Sequence, residues 1–314
     1  MPDASESNSS RKNESFKDLL DALSLLRPTQ EANGKTIFDY GDQQQVYLQA
    51  GEMQEIHWMD IFIRVKGYHA NSLISNKLIL QMNQVTSRPE AISTWFGAEK
   101  DDEEGLSRVV FVMRANWQGI TAKDLDSFIL ERCSYLRLAQ TGSDSNSSAD
   151  HMGQPRAYVG NSHRETEEKF SALLEDLARR CHSDNVDGRT VFFYGEDEAN
   201  PVYLVRGEWR GAHWIDICIQ LTGIVVNTLH SSKHLLQANA DMCSATPIPS
   251  WFAANEDDKA LFINRLDWRH ISAEVLDDHI QRCVSQMKEA LVEEGVAPII
   301  ASQGCAGMTR RSFG

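Results

Sequence analysis

The chain has 314 residues, room for two ordinary domains, and its 41% hydrophobic content suffices for real cores. A net charge of −14 and a pI near 5.2 weigh against nucleic acid or anionic lipid as partners, because like charges repel; they suit solubility or a basic protein partner. No apolar run is long enough to cross a bilayer, and the start, "MPDASESNSSRKNES", has no apolar signal core, so a cytoplasmic protein is expected.

In chain order, "SFKDLLDALSLL" at 15–26 carries a helical apolar stripe, with Ser15 as N-cap and Pro28 beyond its end. Three strand-like runs follow at 35–40, 45–50 and 55–66, with Gly41 and Gly51 between them. The third, "EIHWMDIFIRV", is apolar on both alternating faces, which predicts a strand covered on both sides. Helical spacing returns over 71–85, with Ile74, Leu78, Met82 and Val85 in one stripe. Two more strands, "AISTWFGAE" and "LSRVVFVMRANW", flank an acidic turn, and a last helix starts at Thr121. The predicted order is α-β-β-β-α-β-β-α, an antiparallel α+β arrangement with helices against a sheet.

The order then repeats. "HWMDIFI" at 57–63 returns as "HWIDICI" at 213–219, "VYLQAGE" at 46–52 as "VYLVRGE" at 202–208, and "STWFGAEKDD" at 93–102 as "PSWFAANEDD" at 249–258. The offset is 156 up to the acidic turn and 151 after it, a length change of the kind surface loops tolerate. The chain is therefore a tandem duplication: one domain at 14–140, a Ser/Gly/Asn-rich linker at 141–163, a second domain at 164–295 and a tail at 296–314. His151-Met152 in the linker is a possible gene junction, natural or engineered.

Duplicated chemistry would sit at matched positions. His57 and His213 are the matched histidines, and no second His or Cys stands at ligand spacing, so no metal site is expected. Asp60 and Asp216 fall on the opposite strand face from them and are expected to accept backbone or tryptophan N–H bonds, or to mark a partner surface. Asn83 and Asn239 end the matched helix, placed to cap it or to reach the next strand. Cys181-His182 has no counterpart in the first copy, and the acidic turns lack calcium-loop spacing. The six cysteines (Cys133, Cys181, Cys218, Cys243, Cys283 and Cys305) show no CxxC pattern and read as reduced thiols. Nucleotide, hydrolase and zinc-protease motifs are absent, so neither a catalytic residue nor a cofactor is expected. The matched tryptophans (Trp58/Trp214, Trp95/Trp251, Trp117/Trp268) are many for such small domains; at least one pair is expected in an interface, where tryptophan is enriched.

The segments "LLQAN" (235–239), "ALFINRLDW" (260–268) and "ISAEVLDDHI" (271–280), with "LILQMN", "VVFVMRANW" and "ITAKDLDSFI" in the first copy, resemble the class I type III secretion chaperones of the Tir-chaperone type. "GITAKDL" resembles the YbjN-type regulators equally well. The chaperone resemblance implies a non-catalytic Gram-negative virulence protein that holds the N-terminal segment of a secreted effector in extended form. It also implies pairing through the middle helix. With two copies in one chain, that pairing becomes an intramolecular pseudo-dimer, with Ile74, Leu78, Met82 and Leu235 expected at its interface. A monomer with an internal pseudo-two-fold is expected, with further oligomerisation open. From strand placement and aromatic character, Tyr47, Trp58, Phe62, Tyr203 and Trp214 are the expected partner contacts. The YbjN resemblance implies a regulatory interaction module instead.

Overall fold

The computed structural model describes residues 15–42, 44–53, 56–85, 93–100, 105–141, 161–186, 188–195, 200–209, 212–244 and 246–293. Among these, the chain is α+β, with two six-stranded antiparallel sheets and six α-helices. The first half runs α1 (Phe16–Ser24), β1 (Thr29–Ala32), β2 (Lys35–Asp39), β3 (Gln45–Met53), β4 (Ile56–His69), α2 (Leu73–Val85), β5 (Ser93–Ala98), β6 (Arg108–Ala115) and α3 (Ala122–Thr141). The second runs α4 (Asn161–Ala178), β7 (Ser183–Val186), β8 (Arg189–Tyr194), β9 (Asn200–Trp209), β10 (Ala212–Val225), α5 (Leu229–Asp241), β11 (Ser250–Ala254), β12 (Lys259–Leu266) and α6 (Ala273–Glu293). The sheet orders are β1-β2-β3-β4-β6-β5 and β7-β8-β9-β10-β12-β11, so the duplication holds at the level of topology.

Local signals set the boundaries. Ser15 caps α1 in a full capping box with Asp18, and Thr121 caps α3 by accepting from the Asp124 amide at 3.2 Å. One strand per half was not expected from the spacing: β1, and its counterpart β7. Both are mostly exposed and polar, so they lack the apolar alternation that marks a strand. The turn after β1 carries the signal instead. Asn33 and Gly34 both take positive φ, 53° and 71°, as a two-residue type I′ hairpin requires. Asp187-Gly188 repeats that pattern in the sequence. Helix α4 begins at Asn161, inside the segment read as linker; 142–160, with His151-Met152, lies outside the described residues, as do Cys305 and the 296–314 tail.

Strand β4 has the expected two apolar faces. Met59, Ile61 and Ile63 join a core that includes Leu19 and Leu23 of α1 and Leu125, Ile129 and Cys133 of α3. Phe62 faces the other way, with Tyr47, Trp95, Val110 and Val112, into a second cluster that includes Cys218, Trp251, Leu261 and Ile263 of the other half. Helices thus cover one face, and the second half contributes to covering the other. That is why the strand carries no polar face.

Candidate functional site

The matched residues converge on the seam between the halves. Each middle helix crosses over: α5 packs on β5 of the first half, and α2 packs on β11 of the second. The helices touch each other as well, with Asn76 Nδ2 donating to Ser232 Oγ at 3.2 Å. These two positions are equivalent in the duplication, 156 residues apart, so the contact lies on the pseudo-two-fold axis.

Strands β5 and β11 end their sheets and would leave backbone groups unpaired. The fully buried Asn83 and Asn239 satisfy them. Asn83 Oδ1 accepts from Phe96 N at 2.6 Å; its Nδ2 donates to Phe96 O at 2.9 Å and to Phe252 O at 3.1 Å. Asn239 mirrors this, with Nδ2 donating to Phe252 O at 3.0 Å and Phe96 O at 2.9 Å, while its Oδ1 accepts from Phe252 N at 2.5 Å. The side chains reach the next strand, and that of the other half too. Above them Trp95 and Trp251 stack, and each indole N–H donates across the seam, Trp95 to Asn239 O and Trp251 to Asn83 O. Gly97 completes the contact: a Cβ there would lie 3.0 Å from Ala240 N and 3.2 Å from Leu236 O of α5.

A second matched set flanks this one. Asp60 and Asp216 are buried and pair bidentately with Arg114 and Arg265, at 2.7 and 2.8 Å and at 2.6 and 2.8 Å. The ion pairs were not expected; beside its arginine, Asp60 also accepts the expected tryptophan N–H bond, from Trp58. The arginines stood in matched segments, "VVFVMR" and "ALFINR", but arginine at a strand end does not announce a buried role. Burial pushes the Asp60 carboxyl up from its ordinary pKa, opposed by the Arg114 guanidinium. Arg114 also donates to the carbonyls of Cys243 and Thr246, and Trp58 Nε1 to Cys243 O at 3.3 Å, both across the seam. Trp58 lies flat over Gly51, its register partner, and Trp214 over Gly207; a Cβ on either glycine would sit 2.1 Å from the ring. The repeated "AGE…HW" and "RGE…HW" spellings encode this glycine–tryptophan pairing.

These placements correct the expected contact residues. Tyr47, Trp58, Phe62 and Trp214 are buried, so they present no free surface to a partner. Tyr47 stacks on Phe62 at 4.5 Å beneath the Lys35 ammonium, 3.9 Å from its ring. Tyr203 is half-buried and lines a shallow cleft of about 370 Å³ with Leu174, Arg189 and Arg206. The expected interface stripe also moves. Leu235 is buried, but Ile74, Leu78 and Met82 are exposed, because α2 turns Asn76, Ile79, Leu80 and Asn83 inward instead. Polar residues at 76 and 83 hid that face from a reading based on apolar spacing.

The structure also gathers one thiol cluster that the sequence did not reveal. His279 Nε2 lies 2.8 Å from Asn264 Oδ1 and 3.3 Å from Cys283 Sγ. One ring nitrogen meets both groups, whereas a base that activates a thiol is oriented through the other nitrogen. Burial pushes the Cys283 thiol up to about 12 and holds His279 below its ordinary value. This is packing for a neutral thiol. His57 and His213 sit beside Glu52 and Glu208, at 3.8 and 3.6 Å, and His57 meets the edge of Trp117. No group of three or more His, Cys, Asp or Glu able to hold a metal is found among the described residues.

No family model matches the chain, and neither a curated protein nor a solved structure matches it.

Proposed function

We propose that this chain is a non-catalytic binding protein, a chaperone or adaptor that takes an extended client segment along its outer sheet edges. One observation carries the reading. Among the described residues, each half ends outward on a four-residue strand, β1 or β7, that pairs on one side only, while the inner edge strands meet Asn83 and Asn239. An open edge is a template for an added strand. Apolar residues stand beside both: Leu25 and Leu26, 88% and 49% exposed, lead into β1, and Val186 is exposed on β7. The client class comes from the resemblance to type III secretion chaperones: the N-terminal segment of a secreted effector, kept extended in the cytoplasm. Among the described residues no helix is long and apolar enough to cross a membrane.

The test is a tagged pull-down of the full chain from its native host, with mass spectrometry of what co-purifies. A secreted protein held through its N-terminal segment is expected. A folded regulator in its place would favour the YbjN-like reading. Edge use is tested with Glu31→Pro and Ser183→Pro. In the β1–β2 and β7–β8 registers these residues point their N–H groups outward, so proline removes an outer donor and leaves the hairpin ladder intact. Client capture should fall while the circular dichroism spectrum holds; undiminished capture would sink the edge assignment.

A further inference from the structure

We infer that Asp277 and Tyr194 form a binding site for a guanidinium group, that of an arginine on the client segment. The two halves supply the comparison. In the first, Arg27 forks onto the Asp126 carboxylate, Nε to Oδ1 at 2.6 Å and Nη2 to Oδ2 at 2.9 Å, and its guanidinium lies over the Tyr40 ring, 4.8 Å from the centroid. Register identifies the counterparts. Thr29 pairs with Phe38 and Ser183 with Phe192, so Arg27, just before β1, answers to Cys181, just before β7, and Tyr40 answers to Tyr194. Asp126 and Asp277 each follow a buried leucine, Leu125 of α3 and Leu276 of α6. The second half therefore repeats the carboxylate and the phenol but replaces the arginine with a far shorter, uncharged side chain.

Among the described residues nothing takes over the arginine's part. Tyr194 Oη donates to Asp277 Oδ1 at 2.8 Å, and Gln281 Nε2 reaches Oδ2 at 3.4 Å, a long and neutral contact. Arg180, next to Cys181, turns to Glu274 instead, at 3.7 Å. The Cys181 thiol donates to Leu177 O at 3.4 Å; burial pushes it up from its ordinary pKa, as does the nearby Asp277 charge, so it brings no charge to the carboxylate. Cys181 and Asp277 are half-buried, open enough for a group to arrive from solvent, and Tyr194 is buried. Two features point to a client arginine as the source. Cys181 and His182 lead straight into β7, so the site stands at the start of an open edge. A chain of net charge −14 also favours a basic partner. The source rests on the edge reading above; the site itself does not.

The probe is N-acetyl-arginine amide, titrated into the full chain by calorimetry. N-acetyl-lysine amide is the comparison, since an ammonium cannot fork onto a carboxylate. Saturable binding of the arginine probe at one site is expected, with loss of binding for the lysine probe. Cys181→Arg returns the guanidinium within the chain; it should abolish probe binding and raise the melting temperature. Asp277→Asn, which keeps an acceptor for Tyr194, should abolish binding too. Arg27→Ala frees the matching carboxylate of the first half, so the stoichiometry should rise from one site to two. A wild-type chain that binds no probe up to its solubility limit would overturn the inference. So would a folded Cys181→Arg or Asp277→Asn chain that binds as the wild type does. None of these readouts needs a client. In the pull-down, Cys181→Arg should cut client capture. Undiminished capture alongside lost probe binding would overturn the client as source and give the site to a free guanidinium compound, with the edge reading untouched.

Discussion

The indole rings of Trp95 and Trp251 stack with centroids 5.6 Å apart and planes 7° from parallel, and each N–H closes the C-terminal turn of the other half's middle helix. One aromatic pair thus joins two sheets and two helices. It buries the largest side chains of the chain and satisfies two carbonyls at helix ends that carry no glycine cap. The two domains share this interior, so they are expected to unfold together.

Trp95→Ala should destabilise the chain by about 3–5 kcal/mol, the cost of truncating a fully buried aromatic. Denaturant unfolding should remain a single transition when followed by far-ultraviolet circular dichroism and by fluorescence. Two separated transitions in the wild type would contradict a shared core.

Asp60→Asn removes one partner of a buried bidentate pair and leaves the Arg114 guanidinium uncompensated, at an expected cost of about 3–5 kcal/mol. Exchanging both for apolar residues, Asp60→Leu with Arg114→Leu, should recover part of that loss. A double-mutant cycle on urea midpoints measures the coupling; additive losses would show that the two side chains do not act as a pair.

Gly51→Ala places a methyl group 2.1 Å from the Trp58 ring and should cost about 1–3 kcal/mol by overpacking. Gly207→Ala should do the same against Trp214, because the geometry repeats. Thermal melts of both variants, with tryptophan emission as the local readout, test this.

His279 is held below its ordinary pKa of 6.5, first by burial and then by Arg282. The unfolded chain then binds the proton more readily than the native state. Stability due to this group is complete above about 6.5 and is lost as pH falls through that value toward the folded one. The melting temperature of the wild type should drop more between about pH 7.5 and about pH 5.5 than that of His279→Gln. Equal drops would remove His279 as the cause.

Much of the architecture was readable along the chain. The repeat, the long two-faced strand and the helix caps at Ser15 and Thr121 all follow from local patterns. Strands β1 and β7 escaped because they are exposed and polar, although Asn33-Gly34 marked the first hairpin. The partner contacts were misplaced for a different reason. Aromatic residues on a two-faced strand look alike whether a partner or another part of the same chain covers them, and here Tyr47, Phe62 and Trp58 are covered from within. The stripe on α2 misled in a related way, since apolar spacing does not tell which face of a helix a seam uses.

By itself the sequence determined that one domain is written twice, which residues recur, and the alternation that forces β4 and β10 to be covered on both faces. These follow from backbone period and side-chain polarity, which are local properties. Only the tertiary structure decided which of the recurring residues meet. Asn83 bonds to Phe252, Arg114 to Cys243, and Asn76 to its own counterpart Ser232 because two copies placed about an axis bring matched segments together, however far apart they stand in the chain. The same geometry turned Ile74, Leu78 and Met82 outward, since the half of the helix carrying two asparagines fits the open edges of the sheets and an apolar ridge cannot satisfy them.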